Sequence, residues 1–226
     1  MSQLKGKKIL ITSGGTLEKW DNVRGHTNLA KGTMGCYLAE AALKQSAEVI
    51  YLHGYFAKLP ENRHNMRLIP FKGIDDLGEK MKTIVQSEPV DVVIMAAAGS
   101  DWVVDKVLDQ QGNLILETGK MSSDEPPIIH FKKAPKVLSK IKKWNPAVLL
   151  VGFKLEHTDD LDYLFHRANL RMETSGAELM VANKTGSLYG EEVEHFIVSK
   201  GESPQKYASK KDAAEGLIHI LAEYVN

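Results

Sequence analysis

The sequence predicts an α/β protein with a Rossmann-like, doubly wound and mostly parallel sheet that carries a hairpin or flap insertion. Three observations predict it. Short β-branched runs alternate with stretches of helical apolar spacing through residues 8–96, the pattern of βαβ units. Residues 90–96 are nearly all apolar, as a parallel strand covered on both faces requires. The first run ends in Ser13-Gly14-Gly15-Thr16, a turn at the place where such sheets collect ligands.

The elements follow in order. Residues 8–12 (KILIT) form the first strand, and residues 17–32, polar and glycine-dotted, read as a long loop. Met34, Leu38, Ala41 and Ala42 share one helical face. Residues 48–52 (EVIYL) are a second strand and 67–70 a short third, and residues 75–86 carry Leu77, Met81, Ile84 and Val85 at helical spacing. After the strand at 90–96 the alternation breaks. Residues 103–107 and 114–117 are short extended pieces, followed by Gly119-Lys120-Met121-Ser122-Ser123 and a double proline. Residues 101–134 therefore read as a hairpin or flap set on the sheet. A short helix over 135–143, a strand over 148–153, a helix over 159–174 and strands over 178–181 and 196–199 come next. In the last helix Ala214, Leu217, Ile218, Leu221 and Val225 lie on one face. No repeat or linker divides the chain, so residues 1–226 are expected to form a single domain.

Composition narrows the function. Lys and Arg total 29, as do Asp and Glu, so the formal net charge is zero. That argues against nucleic acid or an anionic membrane as partner, since both select a basic excess. It leaves room for a small anion held by a few placed cations. Cys36 is the single cysteine, which excludes an intramolecular disulfide and any CxxC motif and fits a reducing, cytoplasmic setting. The N-terminus lacks a signal-peptide pattern, and the longest apolar runs are far too short to span a bilayer. The eight histidines show no HxxxH or HExxH spacing, against a histidine-bound metal. GxSxG is absent too, against a hydrolase triad.

Several segments carry candidate chemistry. Gly14 and Gly15 either let backbone approach an anion closely or make a plain turn. They match neither GxGxxG nor a P-loop. In the polar segment 21–28, Arg24 has the fork that grips phosphate, and Asn28 can both donate and accept. Ala96-Ala97-Ala98-Gly99-Ser100-Asp101-Trp102 leaves room for a planar group beside Ala97, and Asp101 either holds a metal or caps a turn. Lys120 is a solvated lysine or a mobile counter-charge. Lys132-Lys133-Ala134-Pro135-Lys136 is the strongest local cluster of charge. Phe153, in Gly152-Phe153-Lys154-Leu155-Glu156, packs in the core or on a base.

Taken together the segments resemble one family, the phosphopantothenate–cysteine ligases. The resemblance is carried by Ile11 to Thr16, Val23-Arg24, Thr27-Asn28, Lys31-Gly32-Thr33-Met34-Gly35, Ala96-Ala97-Ala98 with Asp101-Trp102, Gly119-Lys120-Met121, Lys133-Ala134-Pro135-Lys136, Gly152-Phe153 with Glu156, and Val181-Ala182-Asn183. It implies a two-step reaction in coenzyme A biosynthesis. The carboxylate of 4′-phosphopantothenate displaces pyrophosphate from a nucleoside triphosphate, and cysteine then displaces the nucleoside monophosphate. It also implies Mg²⁺ with the triphosphate and a homodimer to which 101–134 contributes. Asn28 and Lys120 match catalytic positions, with Arg24, Asn28 and Ala97 binding the acid. Gly14, Gly15, Ala97, Asp101, Lys120, Pro135, Lys136, Val137, Leu138, Phe153 and Arg171 match the nucleotide pocket.

The chain length looks like that of the stand-alone ligase, without the decarboxylase domain that bacterial versions carry in front. Where bacterial members have two lysines before Val-Ala-Asn, this chain has Arg171 and Ser175. Phe153-Lys154-Leu155-Glu156 also looks more like the eukaryotic members. Bacterial members favour CTP and eukaryotic ones lean to ATP, so these departures bear on the choice of nucleotide. The resemblance implies CTP, with ATP the alternative, and the metal ligands stay open. Two rivals remain. Tyr207-Ala208-Ser209-Lys210-Lys211 is a formal YxxxK match to an NAD(P)-dependent reductase on the same fold. A non-catalytic nucleotide-binding domain is the other.

Overall fold

The computed structural model describes residues 3–115 and 119–225. Five parallel strands form the first part of an eight-stranded sheet: β1 (Lys8–Ser13), β4 (Glu48–His53), β5 (Met66–Pro70), β6 (Val92–Met95) and β9 (Leu149–Glu156). Between β1 and β4 come a small hairpin, β2 (Leu17–Lys19) with β3 (Gly25–Thr27), and the helix α1 (Thr33–Lys44). Helix α2 (Ile74–Ser87) links β5 to β6. A second hairpin, β7 (Trp102–Leu108) with β8 (Ile128–Lys133), and helix α3 (Leu138–Trp144) link β6 to β9. Helix α4 (Leu161–Ser175) leads to β10 (Leu179–Lys184), which is parallel to β9. Strand β11 (His195–Ser199) then runs antiparallel, β12 (Gln205–Tyr207) pairs antiparallel with it, and α5 (Lys210–Tyr224) follows. The order across the sheet is β12-β11-β10-β9-β6-β1-β4-β5.

The two-residue period of the strands sorts the core into two layers. Ile9, Ile11, Val49, Tyr51, Val92, Ile94 and Val151 meet Leu38 of α1 and Leu217 and Leu221 of α5. Leu10, Ile50, Leu52, Val93 and Leu150 meet Leu77 and Met81 of α2, Ile141 of α3 and Leu164 of α4. Helices thus cover both faces, which is why every residue of β6 is buried. Each such side chain, fully removed from water, contributes about 1.5–3 kcal/mol.

Three expectations are corrected. Residues 17–32 are not loop throughout, because the β2–β3 hairpin forms within them. Its polar Glu18 gave no strand signal, yet that carboxylate is buried and accepts the backbone N–H of Ile74 at 2.8 Å. A side chain from the hairpin thereby satisfies the first turn of α2. In the flap, β7 pairs with β8, a strand the sequence did not suggest. Leu114 bridges Leu108 and Ile115 donates its N–H to the Val107 carbonyl at 2.9 Å, and residues 116 and 117 lie outside the described residues. Strand β8 is exposed at almost every position, so it lacks the alternation that marks a half-buried strand. Helix α3 begins at Leu138, after an irregular stretch that contains Pro135.

Candidate active site

The chain leaves β1 toward β4 and β5 on one side, and β6 lies on the other. The crevice at this reversal, beyond the strand C-termini, is where doubly wound sheets bind ligands. Here the loops leaving β1 and β6 are stitched together. Ala98 donates its N–H to the Gly14 carbonyl at 2.8 Å, and Thr16 donates to the Ala98 carbonyl at 3.2 Å. The N–H groups of Ala97 and Ser100 reach the hydroxyls of Thr12 and Thr16 at 3.1 and 2.9 Å. Gly14 has φ +80°, and a Cβ there would stand 2.6 Å from the Ala57 side chain. Only glycine fits that bend.

Over this floor opens a cavity of about 680 Å³. Gly14, Asn28, Ala97, Asp101, Pro135, Lys136, Val137, Leu138, Phe153 and Arg171 stand in its wall. Asn28 follows β3 and donates its side-chain amide to the Ala98 carbonyl at 3.0 Å, which fixes the carboxamide over the crevice. Lys136 and Asp101 form an ion pair at the β7 side of the wall. Phe153, near the end of β9, is half-buried and packs on the α1–α5 layer. Beyond it, Glu156 receives Lys154 at 2.8 Å and Arg167 at 2.9 Å. Burial pushes the Glu156 carboxyl up, but these two cations bring it below the usual range.

Gly15, Arg24 and Lys120 are outside the wall. Gly15 lies behind it, where a Cβ would be 2.9 Å from the Asn28 carbonyl oxygen, so its bareness lets the Asn28 loop approach. Arg24 is a fastener. Its guanidinium donates to the Met121 carbonyl at 2.6 Å and pairs with Asp21 at 3.2 Å. The buried Asp21 carboxylate in turn accepts the N–H groups of Val23 at 2.7 Å, Arg24 at 2.5 Å and Met121 at 3.3 Å. Burial raises its pKa, but those N–H groups and the Arg24 charge carry it below the ordinary value. Gly119 is held on the same turn through Asn22 N–H at 3.3 Å. Lys120, between two fastened neighbours, is itself exposed. Lys133, Ser175, Tyr207 and Lys211 do not line the cavity either.

A family model described as the DNA/pantothenate metabolism flavoprotein C-terminal domain matches residues 4–224. The chain belongs to this family. Within it, a coenzyme A biosynthesis bifunctional protein CoaBC from Thermococcus kodakarensis is 30% identical over 215 residues, 95% of this chain and 50% of that protein. The chain spans about half the length of the curated relatives it matches. A DNA/pantothenate metabolism flavoprotein from Streptococcus pneumoniae superposes with a TM-score of 0.86 at 29% identity, over 97% of this chain and 100% of that one. A Cab2 variant in complex with phosphopantothenate-cysteine shares the fold, with a TM-score of 0.74 at 21% identity over 96% of this chain and 87% of that one.

Other wall residues of this family member carried no assigned role in the sequence reading. Lys31, Lys154, Asn183, His195 and Lys210 all line the cavity. Asn183 ends the Val-Ala-Asn motif, and its side-chain amide donates to Ser187 Oγ at 2.5 Å. Lys210 was hidden in the YxxxK match, whose lysine is its neighbour. Among the described residues no three His, Cys, Asp or Glu side chains converge as a metal cage. Asp101, the one carboxylate expected there, is engaged by Lys136.

Proposed function

We propose that the chain joins 4′-phosphopantothenate to cysteine through an acyl-nucleotide. The observation that carries this reading is the cavity wall. The motif residues Gly14, Asn28, Ala97, Asp101, Lys136 and Phe153, scattered through the sequence, meet at one crevice in a chain of this family. The names of its relatives place them in coenzyme A biosynthesis, and the Cab2 complex holds the product such a ligase would make.

In this reading the acid's carboxylate attacks the α-phosphorus, an acyl–phosphate bond forms and pyrophosphate leaves. The amine of cysteine then attacks the acyl carbon, an amide forms and the nucleoside monophosphate leaves with the bonding electrons. Asn28 orients the pantothenate amide and the activated acyl group for the amine. Lys120 approaches from the flap to offset charge in the first step, and Arg24 sets the flap's position. Pro135, Lys136, Val137, Leu138 and Phe153 hold the nucleotide with Gly14, Asp101 and Arg171, while Gly15 gives the Asn28 loop room to approach. Catalysis then rests on positioning and electrostatics. The wall offers amides and cations rather than a carboxylate cage, so Mg²⁺ would come with the triphosphate and offset its charge. We propose CTP as nucleotide, with ATP as the alternative, and a homodimer that uses the β7–β8 region.

The test mixes the protein with 4′-phosphopantothenate, cysteine, Mg²⁺ and either CTP or ATP. Pyrophosphate and the coupled product are followed by mass. Product with CTP supports the reading in full, and product with ATP alone corrects the nucleotide. No product with either rejects the ligase and leaves a nucleotide-binding domain.

A further inference from the structure

The hairpin that leads to Asn28 is short. Strands β2 and β3 pair Leu17 with Thr27, Glu18 with His26 and Lys19 with Gly25, and an isolated ribbon of that length is at best marginally stable in water. Asn28, just beyond β3, is exposed, and its carboxamide donates to one anchor, the Ala98 carbonyl. A single hydrogen bond fixes a point on that side chain and leaves its direction open.

His26, two residues earlier, supplies a second attachment to the same stretch of chain. Its Nε2 lies 3.2 Å from the Trp102 carbonyl and 3.3 Å from Ser100 Oγ. The carbonyl can only accept, and Ser100 Oγ already gives its proton to that carbonyl at 2.6 Å. Nε2 therefore carries the hydrogen and donates to both. Nδ1 is left as an acceptor, buried and without a partner among the described residues. An orphaned buried acceptor is unfavourable, so the ring holds the crevice through Nε2 alone.

The ring is also held in its plane. Trp20 stacks on it at 6.2 Å with 14° between the planes, and Phe131 of β8 meets it edge-on at 4.8 Å and 85°. On the far side of the bond, Ser100 is tied to the Thr16 hydroxyl through its own N–H at 2.9 Å. His26 thus joins β3 to a residue of the stitched floor. None of the roles assigned above uses it.

We propose that His26 is a positioning residue for the second step: by pinning β3 to residues 100–102, it sets the direction in which Asn28 presents its carboxamide to the activated acyl group. What Asn28 faces rests on the ligase reading; the clasp that aims it does not.

Two variants of the full chain test it. His26→Leu keeps an apolar filler between Trp20 and Phe131 and removes the donor, and His26→Gln offers a side-chain N–H again. The first readout is the Asn28 side-chain amide in NMR spectra of the ligand-free protein, assigned by its loss in Asn28→Asp. In His26→Leu it moves toward its position in an unfolded chain, and in His26→Gln it returns most of the way. The second readout is quenched flow with 4′-phosphopantothenate, cysteine, Mg²⁺ and CTP. His26→Leu slows amide formation about 10- to 100-fold, the scale on which small misplacements act, while the pyrophosphate burst and the KM for CTP stay within about twofold. An Asn28 amide unmoved in His26→Leu overturns the assignment. So does a burst that falls in step with amide formation, since a general loosening of the crevice would give that. If His26→Leu does not melt cooperatively, Ser100→Ala, which removes one of the ring's two acceptors, is read for the same displacement at smaller size. If the wild type makes no product, the ligase reading fails, and the Asn28 amide alone decides the clasp.

Discussion

Asn28 and Lys120 have different surroundings, and different failures follow. Asn28 is tied to the crevice by its amide. Asn28→Asp replaces that donor with a carboxylate facing the Ala98 carbonyl, and it repels the activated acid. It is expected to release pyrophosphate in a single burst while forming no amide, as quenched-flow and mass analysis would read. Lys120→Gln is expected to suppress the burst itself by about 10²-fold or more, the scale for a lost transition-state charge partner. Normal turnover of both variants would sink these roles. Gly14→Ala places a methyl 2.6 Å from Ala57 at positive φ and is expected to destabilise the fold by about 1–3 kcal/mol in urea titration. At this scale the sequence was legible where composition is forced, as with Gly14 or the small residues 96–99. Lys210 was not legible, since a lysine's burial depends on the strand pairing that turns α5 toward the cavity.

Between elements, the latch of Arg24, Asp21 and Met121 joins the β2–β3 hairpin to the segment after β7. Arg24→Ala removes the donor to the Met121 carbonyl. It is expected to speed proteolysis around residues 119–123 several-fold without shifting the global melting point by more than a degree or two. The latch is also acid-sensitive. The folded pKa of Asp21 is depressed, so its stabilisation is complete above the unfolded value near 3.9 and fades as pH falls through the lower folded value. The protection factor of the Met121 amide, its exchange rate relative to the intrinsic rate at each pH, should fall on acidification before that of β1 does, as NMR would read. Protection at the two sites falling together would refute a local latch. The major strands and helices were legible from alternation and helical spacing. Strands β2, β3, β8 and β12 were not, because none of them alternates buried and exposed side chains as a half-buried strand does.

Across the whole molecule, the β7–β8 hairpin stands apart from the eight-stranded sheet and exposes Trp102, Ile128 and Phe131. In the proposed homodimer these side chains lie at the contact. Sedimentation of the wild type should give a dimer, and Ile128→Lys should shift it toward monomer with the melting point nearly kept. A monomeric wild type would remove the dimer from the proposal. The order of the sheet was legible only in part. The alternation implied parallel crossovers, but the reversal at β11 depends on long-range pairing that no local pattern encodes. The stitch between the loops of β1 and β6 has one more consequence. With Thr12, Gly14 and Thr16 bonded across to Ala97, Ala98 and Ser100, the floor behaves as an anvil of fixed width. Ligands of different girth must then be accommodated by the other walls, residues 135–138 and 187–191, so exchanging one nucleotide base for another is a matter of reshaping those walls and leaving the anvil alone.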